Sequence, residues 1–177
     1  MQFNFLGLTT LTVSFLLGTS VVIAQYNTTD REAFLSRSAR SCQGCDLEGI
    51  DISNTRRVNA QLRQANLRNA NLSDGYFEGT YFTCANLSNA NLANAGFPYA
   101  DFVDANLTGT DLSGADLSRA DLSGAIIDST TNLNGAKLEG AKLWDAKTIY
   151  QPGMDLSKIV RDTTVAKQRV QCNNGMN

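Results

Sequence analysis

Four cysteines, Cys42, Cys45, Cys84 and Cys172, and a trio of carboxylates, Asp111, Asp116 and Asp121, are the side chains of this 177-residue sequence whose types and spacing could do chemistry. Cys42-Gln43-Gly44-Cys45 has the spacing of a redox dithiol, of half a metal site or of a local staple. A zinc site needs four ligands, and the chain has no histidine and no second Cys-x-x-Cys. Thioredoxin-type exchange belongs to alternating strands and helices, a pattern absent here, which leaves a staple or cap as the stronger reading. The three aspartates stand five residues apart, in a stretch that turns at every step, so their side chains diverge and make neither an acid/base pair nor a metal cluster. There is no nucleophile elbow and no phosphate-binding glycine loop. This inventory predicts no catalytic residues, no metal and no cofactor.

The elements that carry these residues have an unusual period. From Leu47 an aliphatic or aromatic side chain returns at every fifth position through Ile52, Leu62, Leu67, Leu72, Phe77, Phe82 and onward to Ile127, broken only at Arg57. Two residues before most of these sits an alanine, as at Ala60, Ala65, Ala70, Ala85 and Ala90. Five fits neither the 3.6-residue helix nor the two-residue strand, so the chain must turn a corner after each step. The large and the small residue of each step face inward, while Asn, Asp, Ser and Gly supply solvent contact and turns. After Ile127 the frame slips by one residue and continues as Leu133, Leu138 and Leu143, which predicts a bulged or looped corner at residues 126–131.

The unit Ala-(Asn/Asp)-Leu-x-x is clearest in Ala-Asn-Leu-Ser-Asn at 85–89 and Ala-Asp-Leu-Ser-Gly at 120–124. It resembles the pentapeptide repeat family, over roughly Cys45 to Lys147. The resemblance implies an all-β solenoid: a right-handed quadrilateral β-helix of about five coils, in which four pentapeptides form one square turn. With twenty residues per coil, Phe77 and Phe97 fall on the third wall, and Phe82 and Phe102 on the fourth, which predicts stacked rings along the axis. Short helices are expected at both ends, one beginning near Asp30 and one over about Asp155 to Gln171, where Leu156, Ile159, Thr163, Ala166 and Val170 form a stripe. The outward positions of the third and fourth walls depart from the Asn/Asp habit. Tyr76, Tyr81, Tyr99 and Val103 are expected to form a docking surface for the C-terminal helix, with another protein as the alternative occupant. Four cysteines allow three pairings. A helix folded back along those walls would bring Cys172 to Cys84 and leave Cys42 to pair with Cys45.

Every charged residue lies at or beyond Asp30, and residues 1–24 hold an uncharged apolar run ending Val22-Ile23-Ala24. That reads as an export signal cleaved before Gln25, with a retained membrane anchor as the alternative. Residues 25–44 then form an N-terminal capping segment, 45–148 the β-helix, and 149–177 the C-terminal helix and tail. The expected function is a non-enzymatic exported scaffold or protein-binding module of the periplasm or thylakoid lumen, compartments the resemblance suggests, with no nucleic-acid partner and no membrane contact after signal removal. Two competing classes are a DNA-mimic regulator of a topoisomerase and a thiol-disulfide oxidoreductase using Cys42 and Cys45. Ten acids against five bases between Asp46 and Ile127, and a net charge of −2, fall far short of one phosphate charge per about 1.7 Å of duplex. Intact-mass measurement of the native protein should give a chain starting at Gln25; recovery of Met1 to Ala24 in a membrane fraction would establish the anchor instead.

Overall fold

The computed structural model describes residues 30–144, 147–148 and 172. Most five-residue steps close with a turn in which the small residue donates back to the large one, as Ala70 N–H does to Leu67 O at 3.1 Å. The third residue of that turn has positive φ throughout, from 53° at Asn54 to 72° at Gly135, the geometry of a type II turn. Asn, Asp and Gly fill most of these positions because they tolerate the left-handed region.

Turning at every step brings the chain back beside itself after twenty residues. Parallel bridges join Ser41 to Gln61, Asp46 to Asn66, Asp51 to Asn71 and Arg56 to Tyr76, and the series repeats as far as Asn106 with Ile126. The bonds are short: Leu67 N–H reaches Asn86 O at 2.7 Å, and Asn86 N–H reaches Ala65 O at 2.9 Å. The result is a β-helix whose regular strand segments are single bridges; the two-residue strands β1 (Ile126–Ile127) and β2 (Lys147–Thr148) pair in parallel at its far end. The register lengthens by one residue between Asn106↔Ile126 and Asp111↔Asn132. The extra residue is absorbed in a turn ordered by Asp128, whose Oδ1 accepts from Thr130 N at 3.0 Å, Thr130 Oγ1 at 2.6 Å and Thr131 N at 3.2 Å. The Thr130 hydroxyl chiefly holds the Asp128 carboxyl below its ordinary range.

Outward Asn and Asp are explained by two bonds each. The side-chain oxygen accepts from the amide two residues on, as Asn106 Oδ1 does from Thr108 N at 3.0 Å. An asparagine amide can also donate along the ladder, as Asn66 Nδ2 does to Asp46 Oδ1 at 3.0 Å. Inside, the aromatic columns stack: Phe77 on Phe97 with centroids 5.3 Å apart, and Phe82 on Phe102 at 4.8 Å. Phe82 and Phe97 meet edge to face at 5.9 Å, tying the two columns together. Where threonine replaces the small inward alanine, its hydroxyl is satisfied by a carbonyl: Thr55 Oγ1 donates to Ile52 O of its own turn at 2.6 Å, and, from the coil before, Arg57 O accepts from Thr80 Oγ1 at 2.9 Å and Leu87 O from Thr110 Oγ1 at 2.8 Å.

Residues 30–35 form a helical segment at the N-terminal end, and its Phe34 is fully buried. Arg57, the break in the apolar run, lies beneath it. Its Nη1 donates to Phe34 O at 2.8 Å, and its guanidinium sits 4.1 Å from the Phe34 ring centroid. Burial, with a contribution from Arg37, lowers the Arg57 pKa from its ordinary value. The position therefore fastens the first turn of the solenoid to the segment above it. The C-terminal helix expected over residues 155–171 lies outside the described residues.

The inward columns should carry the stability. Phe82→Ala should cost about 3–5 kcal/mol and Leu87→Ala about 2–5 kcal/mol, against less than about 0.5 kcal/mol for outward Ser88→Ala, measured by urea unfolding.

Candidate interaction surface

Four left-handed corner positions hold a residue other than Asn, Asp or Gly: Gln64 and Cys84 at the corner after the fourth wall, and two at the corner between the third and fourth walls. These last two are Tyr99 and Arg119, both with φ of 60°. A bulky side chain there costs roughly 1–2 kcal/mol relative to glycine. Tyr99 is also 56% exposed, the most exposed large apolar side chain among the described residues. The two residues are one coil apart and contact each other: Arg119 Nη1 donates to Tyr99 OH at 2.6 Å, and the guanidinium lies 5.4 Å from the ring centroid.

Two further pairs flank this corner in the first two coils. Arg56 lies 4.4 Å from the Tyr76 ring centroid on the third wall, and Arg63 lies 4.1 Å from the Tyr81 ring centroid on the fourth. Tyr76 OH donates to Glu78 Oε2 at 3.0 Å, and that hydrogen bond is the main cause raising the Tyr76 pKa. The Tyr76 ring lies across Gly96: a Cβ at Gly96 would come within 2.8 Å of Tyr76 Cδ2. Glycine at this outward position is thus required by the ring, not by the backbone. Arg63 also donates to Gln61 Oε1. Val103 is half-buried, and its amide donates to Asp101 Oδ1 at 2.9 Å, while Thr83 Oγ1 donates to Asp101 Oδ2 at 3.0 Å.

Tyr76, Tyr81 and Tyr99 thus gather around one corner, with Val103 further along the fourth wall. The sequence shows Arg56 and Arg63 as part of a basic first coil, but their pairing with the tyrosines, like that of Arg119, was not read from it. The signal was present, since Arg56–Tyr76 and Tyr99–Arg119 are each twenty residues apart, but it has meaning only once the coil length is fixed.

The cysteines lie elsewhere. Cys42 and Cys45 are fully buried and joined, with Cα atoms 5.3 Å apart. They occupy the large and the following small inward positions of the first step. Cys84 is joined to Cys172, with Cα atoms 5.5 Å apart and a sequence separation of 88. Cys84 holds a left-handed corner at φ 57° between the fourth wall and the next coil's first. In the outward column that follows the fourth wall, Thr83 beside it and Ser123 two coils on are buried and Val103 between them is half-buried, as are Ser88 and Ser113 on other walls. Among the described residues no group of three His, Cys, Asp or Glu could hold a metal ion, and no helix is long and apolar enough to cross a membrane.

A solenoid of five-residue steps, with an inward Leu or Phe and an inward Ala in each, defines the class of protein. The family profile for pentapeptide repeats matches in eight copies, over residues 60–97, 85–124, 100–131 and 107–145. The chain belongs to the pentapeptide repeat family, whose members are right-handed quadrilateral β-helices. It is similar to a pentapeptide repeat protein, Rfr23, from the cyanobacterium Cyanothece 51142, at 26% identity and a TM-score of 0.48, covering 76% of this chain and 99% of that one. It is also similar to a pentapeptide repeat protein of the Arabidopsis thaliana thylakoid lumen, at 29% identity and a TM-score of 0.41, covering 62% of this chain and 71% of that one. No curated protein matches.

The two disulfides should differ in their contribution to stability. Opening the long loop with Cys84→Ser should cost about 4–5 kcal/mol, and opening the short one with a Cys42→Ser, Cys45→Ser double substitution about 2 kcal/mol from loop closure. Urea midpoints of the two variants under non-reducing conditions measure the difference.

Proposed function

We propose that this protein is a non-enzymatic exported scaffold that binds another protein through the corner between its third and fourth walls. The single observation that carries this reading is Tyr99 and Arg119, two bulky side chains held at left-handed positions where asparagine or glycine would be free of strain, and set outward. Strained exposed positions are typical of contact surfaces, and Tyr and Arg are the side chains that most often dominate protein interfaces. The rod is a right-handed square solenoid of about five coils, by the spacing of about 4.8 Å per coil. Residues 25–44 cap one end and residues 149–177 supply a helix and tail.

Export to a periplasm or thylakoid lumen, after removal of residues 1–24, is supported by the uncharged apolar run at the N-terminus and by two closed disulfides, which persist in oxidising compartments. The Cys42–Cys45 disulfide is a staple in this reading, because thiol-disulfide exchange needs an accessible sulfur and both residues are fully buried. The arginines on the strained corner and its flanking walls likewise run against imitation of a nucleic acid.

A photo-crosslinking side chain placed at position 99 should trap a protein in the native compartment, and one at Asn91, exposed on the second wall, should not. Equal yields at the two positions, or none at 99, would refute this assignment of the surface.

A further inference from the structure

The three arginines of the corner and its flanks have a property the tyrosines alone do not explain. Arg56, Arg63 and Arg119 have no carboxylate within ion-pair reach among the described residues, where the ion pairs are Arg68–Glu48 and Lys142–Asp121. Each guanidinium is instead stacked on a tyrosine ring, at 4.4, 4.1 and 5.4 Å from the centroid. Contact with the ring restricts a long side chain; Arg119 gives one N–H to Tyr99 OH and Arg63 one to Gln61 Oε1, and a guanidinium has five donors, so others remain to meet a partner. An arginine held this way presents the fork that a carboxylate fits with two hydrogen bonds, and less conformational entropy remains to be lost on binding.

The arrangement also has a length. Arg56 and Arg63 flank the corner in the first coil, and Arg119 lies on the same corner three coils further, about 15 Å along the axis at about 4.8 Å per coil. Between them the corner is formed by Asn59, Gly79 and Tyr99, with Tyr76 and Tyr81 on either side. An extended chain advances about 3.3 Å per residue, so four to five residues cover the interval. We propose that this corner binds an extended acidic segment of a partner protein, its carboxylates pairing with Arg56 or Arg63 at one end and Arg119 at the other, its intervening side chains lying on Tyr76, Tyr81 and Tyr99.

This rests on the binding-module reading and names the chemistry of its partner. Charge selects a protein over a nucleic acid. Glu78, Asp101, Asp116 and Asp121 stand on the same two walls, so a continuous polyphosphate laid along them would meet four carboxylates, whereas two separated carboxylates on an extended segment meet only the arginines.

The test is selection of random nine-residue peptides on the full chain with its disulfides intact. Selected peptides should carry two acidic residues four or five positions apart. Their affinity should fall by about tenfold or more on Arg119→Gln and on the Arg56→Gln, Arg63→Gln pair, and stay unchanged on Asn91→Gln, as expected for loss of a charge-assisted bidentate contact. Arg119→Lys should restore only part of the loss, because lysine lacks the fork. Thermal unfolding of each variant confirms that the fold is kept. The proposal is overturned by peptides without an acidic pair, by affinities indifferent to the arginines, by duplex DNA displacing the peptides at equal charge concentration, or by the absence of any selected peptide, the result expected if residues 149–171 occupy the corner. Peptides that bind a different wall would end this inference while leaving the crosslinking result at position 99, and the binding-module reading with it, intact.

Discussion

The parallel amide ladder between residues twenty apart is the constraint on which the rest of the structure depends. Every coil must pair with the next at a fixed spacing, so each of its steps must have the same length and turn by the same angle. That geometry places a positive φ at every fifth residue, from Gly44 through Gly124, resuming at Gly135 after the one-residue insertion. It also fixes how much space lies inside: one large and one small side chain per step. The sequence follows from these demands, with Asn, Asp or Gly at the corner, Leu or Phe and Ala within, and an Asx side chain closing its own turn. The fold is thus held by many weak repeated bonds rather than by a few large elements, and the named strands span only two residues each.

How much of this was legible follows from which features are local. The five-residue period could be read directly because turn chemistry and inward packing recur together, and the slip after Ile127 appears as the register change from Asn106↔Ile126 to Asp111↔Asn132. The coil length was not legible from a period of five, since any whole number of steps would give the same pattern; the family resemblance supplied it. Contacts between residues twenty apart were therefore legible only through the resemblance, as the phenylalanine stacks were, and the particular side-chain pairings on the surface and at the cap were hidden. Arg57 reads in sequence as a gap in the apolar column, yet its contacts with Phe34 make it the link between the cap and the first coil. Gly96 reads as a departure from the outward Asn/Asp habit, and only the Tyr76 ring beside it shows why no Cβ fits.

The cysteines show the same logic in covalent form. Cys42 and Cys45 replace the large and small inward residues of a single step, so their bond lies where apolar packing would otherwise hold the turn closed. The first step has few neighbours above it to pack against, and a staple at this point supports the one part of the ladder whose partners are on one side only. Cys84 instead takes a corner position, where the side chain points away from the core and can reach chain from outside the coil. Position within the repeat thus separates an internal staple from an external tether, even though both are formed by the same residue type.

The remaining variation is confined to the surface, and magnitudes decide what it means there. Tyr99 and Arg119 in left-handed conformations cost about 2–4 kcal/mol together. Their mutual hydrogen bond returns about 0.5–1.5 kcal/mol, and an exposed cation–π contact about 0.5–1 kcal/mol. The pair is left unfavourable by about 1 kcal/mol relative to a corner built of asparagine, which already serves at Asn59, Asn89 and Asn94 in the same chain. Folding alone gives no reason to place these side chains at the corner. A contact made outside the fold, to a group that needs a rigid ring and a fixed guanidinium, accounts for both the choice of residues and the strain they carry.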